Sequence, residues 1–237
     1  MQKDLIVTTS WDDNSPANYR LGKMLYEYEI KATFYLCSRY DDLGNNYKTC
    51  YASDLNKYGF EIGCHSSTHP DLTKINDLEF EVLTSKNELE ERINCQINCF
   101  CYPRNIFNEK VKNFVEKSGY KYSRTSSHKY LFTFKDNFEM PVTMHLSNHS
   151  PLKASKLIFS SRVSPLNFID WKNRGKSLFD KLRKKGGIYH LYGHAWEIDT
   201  NRNYWKKLEE LLKYIHGKND VYYLNNYDAW NQIIKKA

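Results

Sequence analysis

The chain has 237 residues, of which 41% are hydrophobic, 15% aromatic and 27% charged. That composition is too apolar and too aromatic for a disordered polymer, and the length is one that a single core can serve. The longest apolar runs, such as Leu5-Ile6-Val7 and Leu157-Ile158-Phe159, fall far short of the roughly 18–20 residues a membrane span needs. With no signal-peptide core at the N-terminus, a cytoplasmic protein is expected.

The chain alternates strand-like and helix-like segments without a repeat or a Pro/Gly-rich linker. Leu5 to Thr9 is a short apolar, β-branched run ending at Ser10-Trp11-Asp12-Asp13, and Ser15-Pro16 then starts a helix whose apolar face is Leu21, Met24, Leu25 and Tyr28. Strands follow at Ala32 to Cys37 and Phe60 to Cys64, with a short helix at Ser53 to Tyr58 between them. Asp77 to Ile93 has the clearest helical periodicity, with Leu78, Val82, Leu89 and Ile93 on one face and Glu and Lys on the other. Cys99 to Tyr102 is a strand stopped by Pro103, and Asn108 to Lys117 a helix stopped by Ser118-Gly119. Strands at Tyr120 to Ser123 and Met140 to His145 come next. They are followed by a helix from Lys172 to Lys185, a strand from Ile188 to Tyr192, a helix from Tyr204 to His216, a strand from Val221 to Leu224 and a last helix from Asp228 to Lys236. Such alternation predicts an α/β fold with a mostly parallel sheet, and seven or eight strands in this length suit one barrel domain over residues 1–237 better than two domains.

The net charge is +7, and the densest basic cluster is Lys172 to Lys185. Leu178, Phe179 and Leu182 lie within it at helical spacing, so it reads as a helix with a solvated basic face. No nucleic-acid motif accompanies it, and no nucleic-acid partner is expected. The six cysteines are too few for a disulfide scaffold, and the C-x3-C-x-C spacing of Cys95, Cys99 and Cys101 does not match a structural zinc site. All six are expected to be reduced, buried small hydrophobes.

In barrels of this kind functional groups collect at the C-terminal ends of strands, and three polar constellations sit there. Asp12-Asp13 follows the first strand. His65-Ser66-Ser67-Thr68-His69 follows the third and spaces two imidazoles as a metal chelate does. His190-Leu191-Tyr192-Gly193-His194 lies in and after the strand that begins at Ile188. Of its two histidines, His194 belongs at the strand's end and His190 inside it. His145 and His149 read as core or loop residues. Two imidazoles and one carboxylate suit zinc or a similar divalent ion, leaving a second carboxylate and another histidine as base and acid.

Thr9-Ser10-Trp11-Asp12-Asp13 resembles the first motif of the polysaccharide deacetylases, carbohydrate esterase family four, and His65-Ser66-Ser67-Thr68-His69 resembles the second. Phe100-Cys101-Tyr102-Pro103-Arg104-Asn105 is similar to the third motif, and Ile188 to Trp196 to the last. The resemblance runs from about residue 4 to residue 225. It implies a distorted (β/α)7 barrel and a hydrolase removing an N-acetyl or O-acetyl group from a sugar. It further implies Asp12 as catalytic base and a divalent metal held by Asp13, His65 and His69; zinc is expected, with cobalt, nickel or manganese as alternatives. The family's third motif carries an arginine where this chain has Cys101. Because that arginine pairs with the base, Arg104 or Arg124 has to supply the charge, and Arg124 is better placed at a strand end. His194 is expected to be the acid. Trp11, Tyr102, Arg104 and Trp196 are expected to contact substrate, since apolar rings in motif loops stack on sugar faces. The expected partner is an acetylated saccharide, such as a nucleotide- or lipid-linked sugar. The competing readings are a hydrolase of a non-sugar amide, a non-catalytic carbohydrate-binding relative and a basic nucleic-acid-binding protein.

Overall fold

The computed structural model describes residues 4–39, 50–128, 136–147 and 170–234. His149, the Leu157-Ile158-Phe159 run, the side chain of Cys50 and the last residues of the expected C-terminal helix lie outside the described residues. Within them the elements are β1 (Leu5–Asp12), α1 (Ala17–Glu27), β2 (Ala32–Leu36), α2 (Cys50–Lys57), β3 (Glu61–Cys64), a π-helical turn (Glu79–Thr84) running into α3 (Ser85–Ile93), and β4 (Cys99–Cys101). They continue with α4 (Glu109–Lys117), β5 (Tyr122–His128), β6 (Met140–Val142), β7 (Met144–His145), α5 (Trp171–Lys185), β8 (Gly187–His194), α6 (Ala195–Asp199), α7 (Arg202–Ile215), β9 (Val221–Tyr223) and α8 (Asn226–Ile234).

Every strand pairing is parallel, in the order β6-β5-β4-β3-β2-β1-β8-β7. The expected strand from Met140 to His145 is broken at Thr143. Its first half pairs with β5 and its second with β8, so it brings the two ends of the sheet together. Thr143 secures the junction, its N–H donating to the His190 carbonyl (2.9 Å) and its hydroxyl to the Ile188 carbonyl (3.1 Å). On the other edge of β1, β9 pairs with Leu5–Val7 and β2 with Thr9–Asp12. The result is a nearly closed, distorted (β/α)7 barrel in one α/β domain.

Alternation along each strand divides two environments. Leu5, Val7 and Trp11 of β1 face outward and join Phe34, Ile62, Phe100 and Leu191 in the large core beneath the helices. Thr8, Ser10 and Asp12 belong to the barrel interior, which is polar and aromatic. There Ser10 Oγ lies 2.8 Å from His190 Nε2, Asn226 Nδ2 donates to Thr8 Oγ1 (2.8 Å), and Tyr35, Cys99, Cys101, Tyr122, Met140 and Trp230 pack together. Gly63 makes room for this filling, since a Cβ there would sit 2.5 Å from the Tyr35 ring.

Several elements differ from their sequence-based bounds. The Leu5–Thr9, Tyr120–Ser123 and Ile188–Tyr192 strands extend to Asp12, His128 and His194, because interior polar residues continue the ladder past the apolar run. The Asp77–Ile93 helix opens with a π-helical turn that carries Glu81 inward, 5% exposed, instead of leaving it on the solvent face. Arg174, counted with the solvated basic face, is buried, with a guanidinium N–H donating to the carbonyls of His145 (2.8 Å) and Ser147 (3.0 Å). Cys37, Cys64, Cys99 and Cys101 are buried, but Cys95 is exposed on the turn after α3 and is not a core residue.

Candidate active site

The β1–β8 register pairs Asp12 with His194, and the β4–β5 register pairs Cys101 with Arg124. Both pairs therefore sit at the same end of the barrel. Asp12 is the last residue of β1, so its side chain is fixed by the ladder. Asp13 turns away with a left-handed φ of 72°, a conformation that costs a non-glycine residue energy and recurs at functional loops. Its N–H donates to the Tyr35 carbonyl (3.1 Å), and its own carbonyl accepts from Asn18 Nδ2 (2.8 Å).

The loop after β3 is held as firmly. The His65 N–H donates to the Leu36 carbonyl (2.8 Å), and Ser66 and His69 take left-handed φ of 70° and 58°. One Glu81 oxygen accepts from the backbone N–H groups of Ser67 and Thr68 (both 2.9 Å), and the other accepts from the Thr68 hydroxyl (2.6 Å). The π-helical turn thus has a local purpose, consistent with the frequency of such turns at functional sites. Sequence reasoning missed Glu81 because it reads as one more charge on an amphipathic helix.

Asp13, His65 and His69 come together as the sequence implied. His65 Nδ1–H donates to the Cys101 carbonyl (2.8 Å), which leaves the Nε2 lone pair free. His65 Nε2 and His69 Nε2 each lie 3.7 Å from Asp13 Oδ1. That oxygen is buried and has no hydrogen-bond partner, an arrangement that costs energy unless a cation meets it. Burial lowers the His65 pKa to about 4, so the ring is neutral, the form a metal ligand needs. Tetrahedral zinc with bonds of about 2.0–2.1 Å separates its ligand atoms by about 3.3 Å. The donor set and its spacing fit such an ion.

Asp12 meets a different set of partners. Arg124, 1% exposed, donates from its guanidinium to Asp12 Oδ1, and its cation lies 4.5 Å from the Tyr192 ring centre and 5.0 Å from that of Tyr35. Burial alone would raise the Asp12 pKa; Arg124, together with the neighbouring His65 and His194, outweighs it and holds the carboxyl at about 2. Cys101 Sγ lies 3.5 Å from Asp12 Oδ2, so the thiol occupies the strand position opposite the arginine. Arg124 lies inside β5 rather than after it, and Arg104 sits exposed on a left-handed turn.

His194 ends β8. Its Nδ1–H donates to Glu197 Oε2 (2.8 Å), and its Nε2 lies 3.8 Å from Asp13 Oδ2. Burial disfavours the imidazolium, but the Glu197 hydrogen bond and the Asp12 and Asp13 carboxylates outweigh it and raise the pKa. Glu197 was invisible in sequence because α6, five residues long, has too few turns to show a period. His190 lies two rungs deeper, with Nδ1–H donating to the Pro141 carbonyl (3.2 Å) and burial lowering its pKa to about 3.

Two of the four residues expected at substrate are displaced from that task. Trp11 is 0% exposed, wedged outside the barrel wall with its indole N–H donating to Thr9 Oγ1 (3.1 Å). Tyr102 is 1% exposed, stacked on Phe107 at 4.2 Å with its hydroxyl donating to the Phe138 carbonyl (3.1 Å). Neither ring has a free face. Trp196, 41% exposed, does, and it lines a cavity of about 340 Å³ with Asn14, Ser15, Pro16, Ala17, Asp199 and Thr200. Its indole N–H also donates to Asp13 Oδ2 (3.1 Å), which turns Oδ1 toward the two histidines.

A parallel barrel with a carboxylate–imidazole cluster at the C-terminal ends of its strands is the layout of a barrel enzyme. The chain belongs to the polysaccharide deacetylase family, whose sequence profile matches residues 2–123. A bifunctional xylanase/deacetylase from Pseudobutyrivibrio xylanivorans is 35% identical over 79 residues, 32% of this chain and 12% of that protein. The chain thus spans about an eighth of the length of that curated relative. The fold is similar to that of a candidate polysaccharide deacetylase from Mycobacterium smegmatis, with a TM-score of 0.69, 15% identity, and coverage of 100% of this chain and 92% of that one. It is also similar to a xylanase-associated esterase-family-four domain from the hindgut metagenome of Trinervitermes trinervoides, with a TM-score of 0.61, 15% identity, and coverage of 97% and 91%. None of the helices described is long and apolar enough to cross a membrane.

Proposed function

We propose that the protein is a metal-dependent deacetylase that hydrolyses an acetyl group, N-linked in the first instance, from a saccharide. The observation that carries this reading is the buried, unpartnered Asp13 Oδ1 facing two imidazole nitrogens at 3.7 Å beside a second, ionised carboxylate. When bound by Asp13, His65 and His69, a divalent ion, zinc by preference, supplies a Lewis acid that acidifies water and polarises the acetyl carbonyl.

The chain's own groups do the rest. Asp12 has one oxygen committed to Arg124 and the other, Oδ2, turned toward His65, so Oδ2 is the atom that accepts the attacking water's proton. Arg124 keeps that carboxylate ionised and fixed, as an arginine from the neighbouring strand in place of one at Cys101. His194, held through Nδ1 by Glu197, gives the proton on Nε2 to the departing nitrogen. Trp196 offers the sugar an apolar face at the mouth of the site. The substrate we propose is an acetylated saccharide, such as one carried on a nucleotide or lipid.

Metal content tests the ligand set. After dialysis against low-zinc buffer the wild type should hold one ion, and His65→Ala and His69→Ala should hold none. Trp196→Phe, which keeps an apolar ring but removes the N–H that donates to Asp13 Oδ2, should weaken affinity by about 10–100-fold, as loss of a group supporting a ligand does. Equal metal content in all four proteins would refute the assignment.

A further inference from the structure

Beside the first cluster lies a second one that the reaction does not need as a metal centre. His145 comes from β7, His194 from the end of β8 and Glu197 from α6. A single carboxylate oxygen, Glu197 Oε2, faces both His145 Nε2 (2.7 Å) and His194 Nδ1 (2.8 Å). The three side chains are 18%, 16% and 24% exposed, within reach of ions from solvent. Their ligand atoms all lie within 4.8 Å of one another. Two imidazoles and one carboxylate are a donor set zinc accepts with water completing the tetrahedron. Reaching tetrahedral ligand spacing, about 3.3 Å, takes about half an ångström of opening at each Glu197 contact and at most about 1.5 Å of closing between the two imidazole nitrogens, which lie within 4.8 Å.

We propose that His145, His194 and Glu197 form a second, weaker zinc site whose occupation switches the enzyme off; the switching rests on the reading of His194 as the acid. On binding, His194 Nδ1 releases to water the proton it donates to Glu197, and Nδ1 takes the ion. The ion thus takes the place of the Nδ1 hydrogen bond to Glu197 and draws the ring out of the orientation that aims Nε2 at the departing nitrogen. His145 moves its proton from Nε2 to Nδ1, where it donates to Ser147 Oγ, 2.9 Å away. The site is the weaker of the two for electrostatic reasons. Asp12 adds a second carboxylate beside the first site, whereas here Glu197 is the one carboxylate ligand, the Arg174 guanidinium lies against the His145 carbonyl at 2.8 Å, and an ion held by Asp13 repels a second one across the His194 ring.

Equilibrium dialysis against excess Zn²⁺, read by elemental analysis, tests this with circular dichroism as the check on folding. Wild type should bind two ions, His69→Ala one, His145→Ala one and the double variant none. Glu197→Gln, which keeps the side chain's shape but not its charge, should bind the second ion at least ten-fold more weakly. Excess zinc should inhibit wild-type turnover but not that of His145→Ala, whatever its basal rate. A wild type that never exceeds one ion and keeps that ion in His145→Ala, or a His145→Ala protein that keeps two, overturns the second site. Loss of an ion in His145→Ala with none lost in His69→Ala overturns the first site alone and supports the second.

Discussion

Asp12→Asn should retain its metal and lose between about 10² and 10⁴ of its turnover, the range general-base loss produces. The amide keeps the shape and still accepts from Arg124, but it has no negative charge with which to take the water's proton. Asp13→Asn should instead lose metal affinity, since Oδ1 is the oxygen 3.7 Å from both histidines. Parallel metal analysis and steady-state kinetics separate the two variants. Phenotypes in the reverse order would exchange the roles of the pair. Arg124→Met is the companion experiment. Asp12 and Arg124 are 3% and 1% exposed, and removing one partner of a buried ion pair typically costs about 3–5 kcal/mol because the other charge stays behind. That variant should therefore lose stability as well as rate.

The second large effect concerns the leaving group. His194→Ala should sharply lower kcat for amide substrates, whose departing nitrogen needs a proton. The loss should be much smaller for an activated phenyl ester, whose phenolate leaves unaided. His190→Ala should act mainly on stability, because His190 is 1% exposed, bonded to Ser10 and Pro141, and two rungs deeper in the barrel than His194. Kinetics on both substrate types, with a thermal melt of each variant, decides the matter. A leaving-group-dependent loss in His190→Ala with an active His194→Ala would make His190 the acid.

The parts of this arrangement that sequence made legible share a physical cause. Asp12, Asp13, His65, His69 and His194 could be found because each lies at or just after an apolar strand, where a parallel barrel exposes its functional groups. Arg124 could be named because the family resemblance implies an arginine beside Asp12, Cys101 occupies its usual place, and Arg124 lies closer to a strand end than Arg104. Strand lengths were underread for a reason specific to this barrel. Its interior is filled with Thr8, Ser10, Asp12, Arg124 and His190, so polar residues that look like the end of a strand are its inward face. The positions of Trp11 and Tyr102 could not be read, because alternation sends neighbours in one motif to opposite sides of the wall. Glu81 and Glu197 were missed for lack of any periodic signal: one depends on a π-helical turn, the other on five residues of helix.

Acetate release is the most direct test of the whole account. Purified protein would be incubated with a panel of acetylated saccharides, N- and O-linked, before and after treatment with a chelator and again after zinc is restored. Release from at least one saccharide, abolished by the chelator and recovered with the metal, is the predicted result. Release that the chelator leaves untouched, or its absence from every acetylated saccharide in a protein carrying one full equivalent of zinc, would contradict it.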